Sequence, residues 1–190
     1  MFRKLIIPNG YTYEREELVE IISEKKIKER LGVIANEISN RYNGSVPIFI
    51  GVLNGAYIYM ADLTRMLSIN FEVDFIKVKS YNDNLKSSGR VKILKDISTK
   101  IENRDIIIVE DIIDTGLTID FLVKHFKNYN PLSISVTSLI NKPDVSKNTT
   151  LINWIGFDIP DDFVVGYGLD FCQIFRGLSS IYKLNNQGGK

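Results

Sequence analysis

The stretch from Ile106 to Ile119, IIIVEDIIDTGLTI, limits what this chain can fold into more than any other part of it. Four apolar β-branched residues, Ile106 to Val109, run directly into two adjacent carboxylates, Glu110 and Asp111. Two more isoleucines lead to Asp114-Thr115-Gly116-Leu117-Thr118. Beyond that point the apolar period changes: Leu117, Phe121, Leu122 and Phe126 recur at spacings that suit one helical face. The pattern predicts a buried parallel strand, an acidic loop and the start of a helix. A short continuous apolar run bounded by turn residues fits a strand covered on both faces. Gly116 lets backbone approach a ligand closely, the first helical turn offers free N–H groups, and Thr115 and Thr118 add hydroxyls, which together make a cradle for a phosphate. The carboxylates beside it must face something else: a sugar diol, a cation, or a proton to be moved.

At 190 residues the chain is long enough for one domain with a core that needs no staples. A net charge of +1 provides no general field for nucleic acid or membrane. A single cysteine, Cys172, excludes an internal disulfide and a cysteine-based zinc cluster, and is expected as a small filler near the site. No apolar run approaches the roughly 18 residues needed to span a bilayer. The opening segment MFRKLIIPNGYTYERE has too short an apolar run before Pro8 for a secretory signal. The expectation is a cytoplasmic protein with no nucleic-acid or membrane partner.

In chain order, Leu5 to Ile7 reads as a short strand. Ser23 is the expected N-cap of a helix from Glu24 to about Tyr42, with Ile27, Leu31, Ile34, Ile38 and Tyr42 as its apolar stripe. Pro47 to Leu53 reads as a buried strand that turns at Asn54-Gly55 into a helix from Tyr57 to Leu67, a second place for an anion at a strand's carboxyl end. Phe71 to Val78 alternates as a strand, with Phe71, Val73 and Phe75 at its apolar positions. A long polar connection, Ser80 to Arg90, separates it from the strand Val91 to Leu94; such connections are lids or disordered. His125, the only histidine, falls late in the helix after Gly116, where a cation suits the helix terminus, and receives no catalytic role. Pro131 to Ile140 reads as another strand, and Lys142 just past its carboxyl end points toward the ligand crevice of an open α/β sheet. Trp154 is expected to pack. Gly166 and Gly168 give G-x-G with no third glycine, so no dinucleotide fingerprint is inferred.

These motifs, in this order, resemble the type I phosphoribosyltransferases, and EDIIDTG resembles their hypoxanthine-guanine branch. GVLNGAYIYMADL looks like the family's pyrophosphate loop, the Ser80-Tyr81 pair like its mobile lid, SLINK like its base-contacting strand end, and GFDIP followed by FVVGYGLD like the signature of its 6-oxopurine branch. The resemblance runs from about Val46 to Leu178 and leaves the first 45 residues unspecific. It implies an α/β fold: a doubly wound, mainly parallel sheet with a small hood subdomain from the chain ends. The expected layout is one domain over 1–190, with the core at about 24–142 and the hood at about 1–20 and 150–185.

The activity that the resemblance implies is purine salvage: Mg²⁺-dependent transfer of the phosphoribosyl group from 5-phosphoribosyl 1-pyrophosphate to N9 of hypoxanthine or guanine, giving IMP or GMP and pyrophosphate. By the same resemblance Asp114 is the general base at purine N7. Glu110 and Asp111 face the ribose hydroxyls and the metal, and Thr115, Gly116, Leu117 and Thr118 hold the 5′-phosphate. Leu53, Asn54, Gly55 and Arg176 hold pyrophosphate; Lys142, Phe163 and the backbone of Val164 hold the base; Asp170 reaches the metal through water. Asn54 departs from the family, whose turn reads Leu-Lys-Gly, and removes a positive charge from a site for a polyanion. The expected partners are the small-molecule substrates and further copies of the chain in a homodimer or homotetramer. Two alternatives stand: a phosphoribosyltransferase preferring xanthine, and a non-catalytic purine-nucleotide-binding regulator of the same fold.

Overall fold

A computed structural model of the chain describes residues 17–81, 90–146 and 152–184. The strand expected at Leu5 to Ile7, the lid tip from Asn82 to Ser88 and the tail from Asn185 lie outside the described residues. In order the elements are β1 (Leu18–Ile22), α1 (Glu24–Arg41), β2 (Ile48–Leu53), α2 (Tyr57–Arg65), β3 (Glu72–Tyr81), β4 (Arg90–Lys95), β5 (Asp105–Ile113), α3 (Leu117–Lys127), β6 (Ser133–Asn141), β7 (Trp154–Asp158), β8 (Val164–Val165) and β9 (Ile181–Leu184).

Six strands form one sheet in the order β4-β3-β2-β5-β6-β7. All its pairings are parallel except the edge pair β3–β4. The strand alternation of β5 explains the layers. Ile107 and Val109 join one core with the stripe of α1 and with Tyr59, Met60 and Leu63 of α2. Ile106 and Ile108 join a second core with Leu122 and Phe126 of α3. Helices therefore cover both faces, which is why the β5 run is apolar without interruption. Each fully buried side chain of this size contributes roughly 1.5–3 kcal/mol.

The local signals in α1 hold. The Ser23 hydroxyl accepts the N–H of Lys26 at 3.4 Å, and Ile27, Leu31, Ile34 and Ile38 are fully buried. Tyr42 closes the helix and its hydroxyl donates to Ser135 Oγ at 2.9 Å. Trp154 packs as expected, near the Tyr42 ring and beneath the Arg41 guanidinium.

Four expectations need correction. The strand β5 does not stop at Val109: β6 goes on pairing, with Glu110 opposite Ser138 and Ile112 opposite Ile140, so Glu110 and Asp111 stand within the strand and the loop before α3 keeps Asp114. The buried face of α3 is Ile119, Leu122, Val123 and Phe126, while Leu117 is exposed because it begins the helix at the pocket rather than over the core. In β3 Val73 faces outward, and Asp74 is buried beside Ile76. Asp74 accepts the N–H groups of Phe75, Ser98 and Thr99 at 2.7–2.8 Å, fastening the segment after β4 to the sheet. Cys172 is exposed, in a left-handed turn, rather than a filler.

A second, antiparallel sheet has the order β1-β9-β8. β7 joins the large sheet, so within the stretch 150–185 expected for the hood it is β8 and β9 that build the small sheet with β1. The Tyr167 hydroxyl donates to Asp62 Oδ2 on α2 at 2.6 Å, tying the turn after β8 to the core. Burial and the Asp62 carboxylate push the Tyr167 phenol far up, so the hydroxyl stays a donor. Among the described residues no helix is long and apolar enough to cross a membrane.

Candidate active site

The carboxyl ends of β2, β5 and β6 lie side by side, and the residues picked out by sequence gather there. Glu110, Asp114, Thr115, Gly116 and Thr118 line one cavity of about 370 Å³, closed on one side by Val91 of β4. Gly116 sits at φ 81°, a left-handed position, and turns the chain from β5 into α3. Residues 117–119 carry the first free amides of α3, and the Thr115 hydroxyl already accepts from Leu117 N at 3.5 Å. The cavity is thus donor-lined at the helix start and acidic at the strand end.

Glu110 is 7% exposed, and its Oε2 has no hydrogen-bond partner among the described residues. Burial, then the neighbouring Asp111 charge, holds the Glu110 carboxyl well above its ordinary range. Burial also raises Asp111, opposed by the hydrogen bond it shares with Glu110 and by the Arg176 guanidinium. Two crowded carboxylates with an orphaned oxygen fit a cation together with hydroxyl donors. Among the described residues no three acidic, histidine or cysteine side chains converge as a metal cage. A cation here would take most of its ligands from a bound molecule, as hard cations with oxygen ligands do.

The turn after β2 closes against this pair. Its Leu53–Asn54 peptide is cis. A Cβ on Gly55 would overlap Asp111 Oδ2, and a Cβ on Gly168 would come within 2.0 Å of the Gly55 carbonyl oxygen. Gly168 has φ 103° and accepts, through its carbonyl, Arg176 Nη1 at 2.7 Å. Arg176 Nη2 pairs with Asp170 Oδ1 at 2.6 Å, and Asp170 Oδ2 accepts Gln173 N at 2.8 Å. Leu53 to Gly55, Asp111, Asp170 and Arg176 thus form one interlocked group. Asn54 is exposed.

On the other side Lys142 is 8% exposed. Its Nζ stands 3.5 Å from Asp114 Oδ1 and 2.8 Å from Asp161 Oδ1. Sequence reasoning did not single out Asp161; an aspartate in a Pro-Asp-Asp loop reads as solvated, and the signal lay instead in Lys142, since a buried ammonium needs a counter-anion. Phe163 is 52% exposed with its ring edge-on to Phe171 at 5.9 Å, leaving a face open. Val164 is buried in β8, paired with Lys183. Ser80 and Tyr81 end β3 opposite Val91 and Arg90, so this hairpin reaches the cavity wall; their side chains lie outside the described residues. His125 stands apart, bound to Asp96 Oδ2 at 2.9 Å. A larger hollow of about 640 Å³ lies at the amino ends of β5 and β6, lined by Asn103, Lys127 and Ser133, away from these groups.

Comparison with known proteins places the chain in a family. A family model described as the phosphoribosyl transferase domain matches residues 19–171. The chain is 43% identical over 161 residues to a hypoxanthine-guanine phosphoribosyltransferase of Bacillus subtilis, covering 85% of this chain and 89% of that protein. It is 40% identical over 166 residues to a hypoxanthine phosphoribosyltransferase of Buchnera aphidicola, covering 86% of this chain and 94% of that one. Among solved structures, a hypoxanthine-guanine phosphoribosyltransferase of Bacillus anthracis with a HEPES molecule in its active site matches with TM-score 0.83 at 37% identity, covering 87% of this chain and 97% of the other.

Proposed function

This chain belongs to the phosphoribosyltransferase family, and on that premise we propose that it transfers the phosphoribosyl group of 5-phosphoribosyl 1-pyrophosphate to N9 of hypoxanthine or guanine. The observation that carries the base assignment is Lys142: a buried ammonium beside Asp114, flanked by the loop that bears the open face of Phe163. A fixed donor suits the oxygen at C6 of a 6-oxopurine. Adenine would set an amino donor against it, and two facing donors leave a buried polar mismatch.

In the proposed reaction the residues at 115–118 and the α3 amides grip the 5′-phosphate. Glu110 and Asp111 accept from the ribose hydroxyls, and their charge favours a sugar carbon that becomes cationic as its bond to pyrophosphate breaks. The purine stacks on Phe163, the Val164 backbone and Lys142 bond its edges, and N9 forms the new bond to the sugar. Asp114 takes the proton from N7 as that bond forms. Arg176, with its forked donors, and the backbone of Leu53 to Gly55 hold the departing pyrophosphate. Magnesium, held by substrate oxygens with Glu110, Asp111 and, through water, Asp170, would neutralise phosphate charge. Ser80 and Tyr81 begin the lid that excludes water from the sugar centre. The small sheet of β1, β8 and β9 is the hood, and the molecule works in the cytoplasm as a homodimer or homotetramer.

The test is an ultraviolet assay with magnesium and 5-phosphoribosyl 1-pyrophosphate, offering hypoxanthine, guanine, xanthine and adenine in parallel. Turnover of the first two and none of adenine is the expected result. Preference for xanthine would keep the mechanism and change the base. No turnover of any base, with nucleotide binding intact, would favour a regulator.

A further inference from the structure

We propose that Asp161 is a positioning residue for base recognition: it anchors the Lys142 ammonium so that this group faces the purine edge and leaves Asp114 free to take a proton. The inference rests on the base-site reading above and adds to it a residue outside the motifs that carry that reading.

The geometry assigns unequal roles to the two carboxylates around Lys142. Asp161 Oδ1 is the nearer at 2.8 Å and makes the hydrogen bond; Asp114 Oδ1 stands at 3.5 Å. A lysine this buried needs a counter-anion at all times, because desolvating an unpaired ammonium costs far more than one hydrogen bond returns. Asp114 cannot be that anion throughout, since it becomes neutral when it takes the N7 proton. Asp161 faces Lys142 and takes no part in that transfer, so its charge persists across the cycle. Without it, Asp114 is the remaining carboxylate within reach. The ammonium would then turn to Asp114, lose its aim at the base and tie up the group that must accept the proton.

The loop bearing Asp161 is itself fixed. Ile159 N donates to the Asn141 carbonyl at 3.0 Å, and Asn141 Nδ2 donates to Asp158 Oδ1 at 2.6 Å. Asp162 pairs with Lys183 of β9 at 3.3 Å. The Lys142 backbone is held from below, its N–H donating to the Ile113 carbonyl at 3.0 Å. Lysine and aspartate are thus presented to each other by two anchored segments, with Phe163 two residues beyond. At 61% side-chain exposure Asp161 carries little of the fold.

The experiment is calorimetric binding of IMP, AMP and 5-phosphoribosyl 1-pyrophosphate to the full chain and to its Asp161→Asn and Asp161→Glu variants, with steady-state kinetics alongside. In Asp161→Asn we expect IMP affinity to fall about tenfold, the scale of one charge-assisted hydrogen bond. AMP and 5-phosphoribosyl 1-pyrophosphate binding should stay within about twofold, KM for hypoxanthine should rise more than kcat falls, and Asp161→Glu should recover most of the loss. Unchanged IMP binding, or equal loss for IMP and 5-phosphoribosyl 1-pyrophosphate, would overturn the inference. A wild-type chain that binds IMP without turning over any base would sink the proposed reaction while leaving this binding comparison decisive. A wild-type chain that binds no purine nucleotide would remove both.

Discussion

A Cβ on Gly55 and Oδ2 of Asp111 would compete for one space: the added atom would lie 1.5 Å from the oxygen. The turn after β2 and the end of β5 therefore meet with no slack, and the smallest side chain at 55 must expel the carboxylate. Gly55→Ala should lower turnover by about 100-fold, the scale of a misplacement near 1 Å, with far-ultraviolet circular dichroism unchanged. Retained turnover would mean that Asp111 has freedom which the packing denies it.

Asp114 is 55% exposed and lies at the start of the α3 turn, so removing its charge should spare the fold. Asp114→Asn should reduce kcat by roughly 10²–10⁴-fold, with an unchanged melting temperature, if it accepts the base proton. A variant as fast as the wild type would take Asp114 out of that role.

Asn54 offers a gain-of-charge test. It is exposed beside the group proposed to hold pyrophosphate, where the family pattern has lysine. Asn54→Lys should lower KM for 5-phosphoribosyl 1-pyrophosphate about fivefold at low salt, the effect of roughly 1 kcal/mol between unit charges in water, and the gain should fade as ionic strength rises. No change at any salt would show that backbone groups alone set this affinity.

Asp74 should make stability depend on acid. Burial would push its carboxyl up, but hydrogen bonds from the backbone of Thr99, Phe75 and Ser98 outweigh burial and hold it far below the ordinary carboxylate range. A depressed value means that the unfolded chain takes up its proton first. The contribution is complete above about pH 3.9 and is lost as pH falls below that toward the folded value. Asp74→Asn, which turns an amide donor toward backbone donors, should cost about 1–3 kcal/mol at pH 7. Denaturant titrations at pH 7 and pH 3 should show the gap between variant and wild type closing in acid.

The architecture and the placement of most candidate site residues could be read from residue order because their signals are local. An apolar run, two acids, Asp-Thr-Gly and a change of period lie within Ile106–Ile119, and the cap at Ser23 and the stripe of α1 needed no tertiary knowledge. Where the reading failed, a distant partner decided. Glu110 and Asp111 stay in β5 because β6 continues to pair there. Asp74 turns inward because three amides from 75, 98 and 99 converge on it. Asp161 matters only once the β6 end and the loop after β7 are brought together, which no spacing along the chain encodes.

The pairing of β1 with β9, Leu18 opposite Leu184, has a consequence in time as well as space. During synthesis β2, β5 and α3, proposed to hold the sugar and its phosphates, emerge while Phe163 and Val164 are still to be made. Throughout that interval β1 waits unpaired, with Ile22 already bound for the core it shares with α1. The proposed base side, with Val164 paired to β9, is finished last, and only when an early segment and a late one find each other. On the proposed assignment, a nascent chain halted after β6 would carry Glu110 to Thr118 and still lack Lys142, Phe163 and Val164.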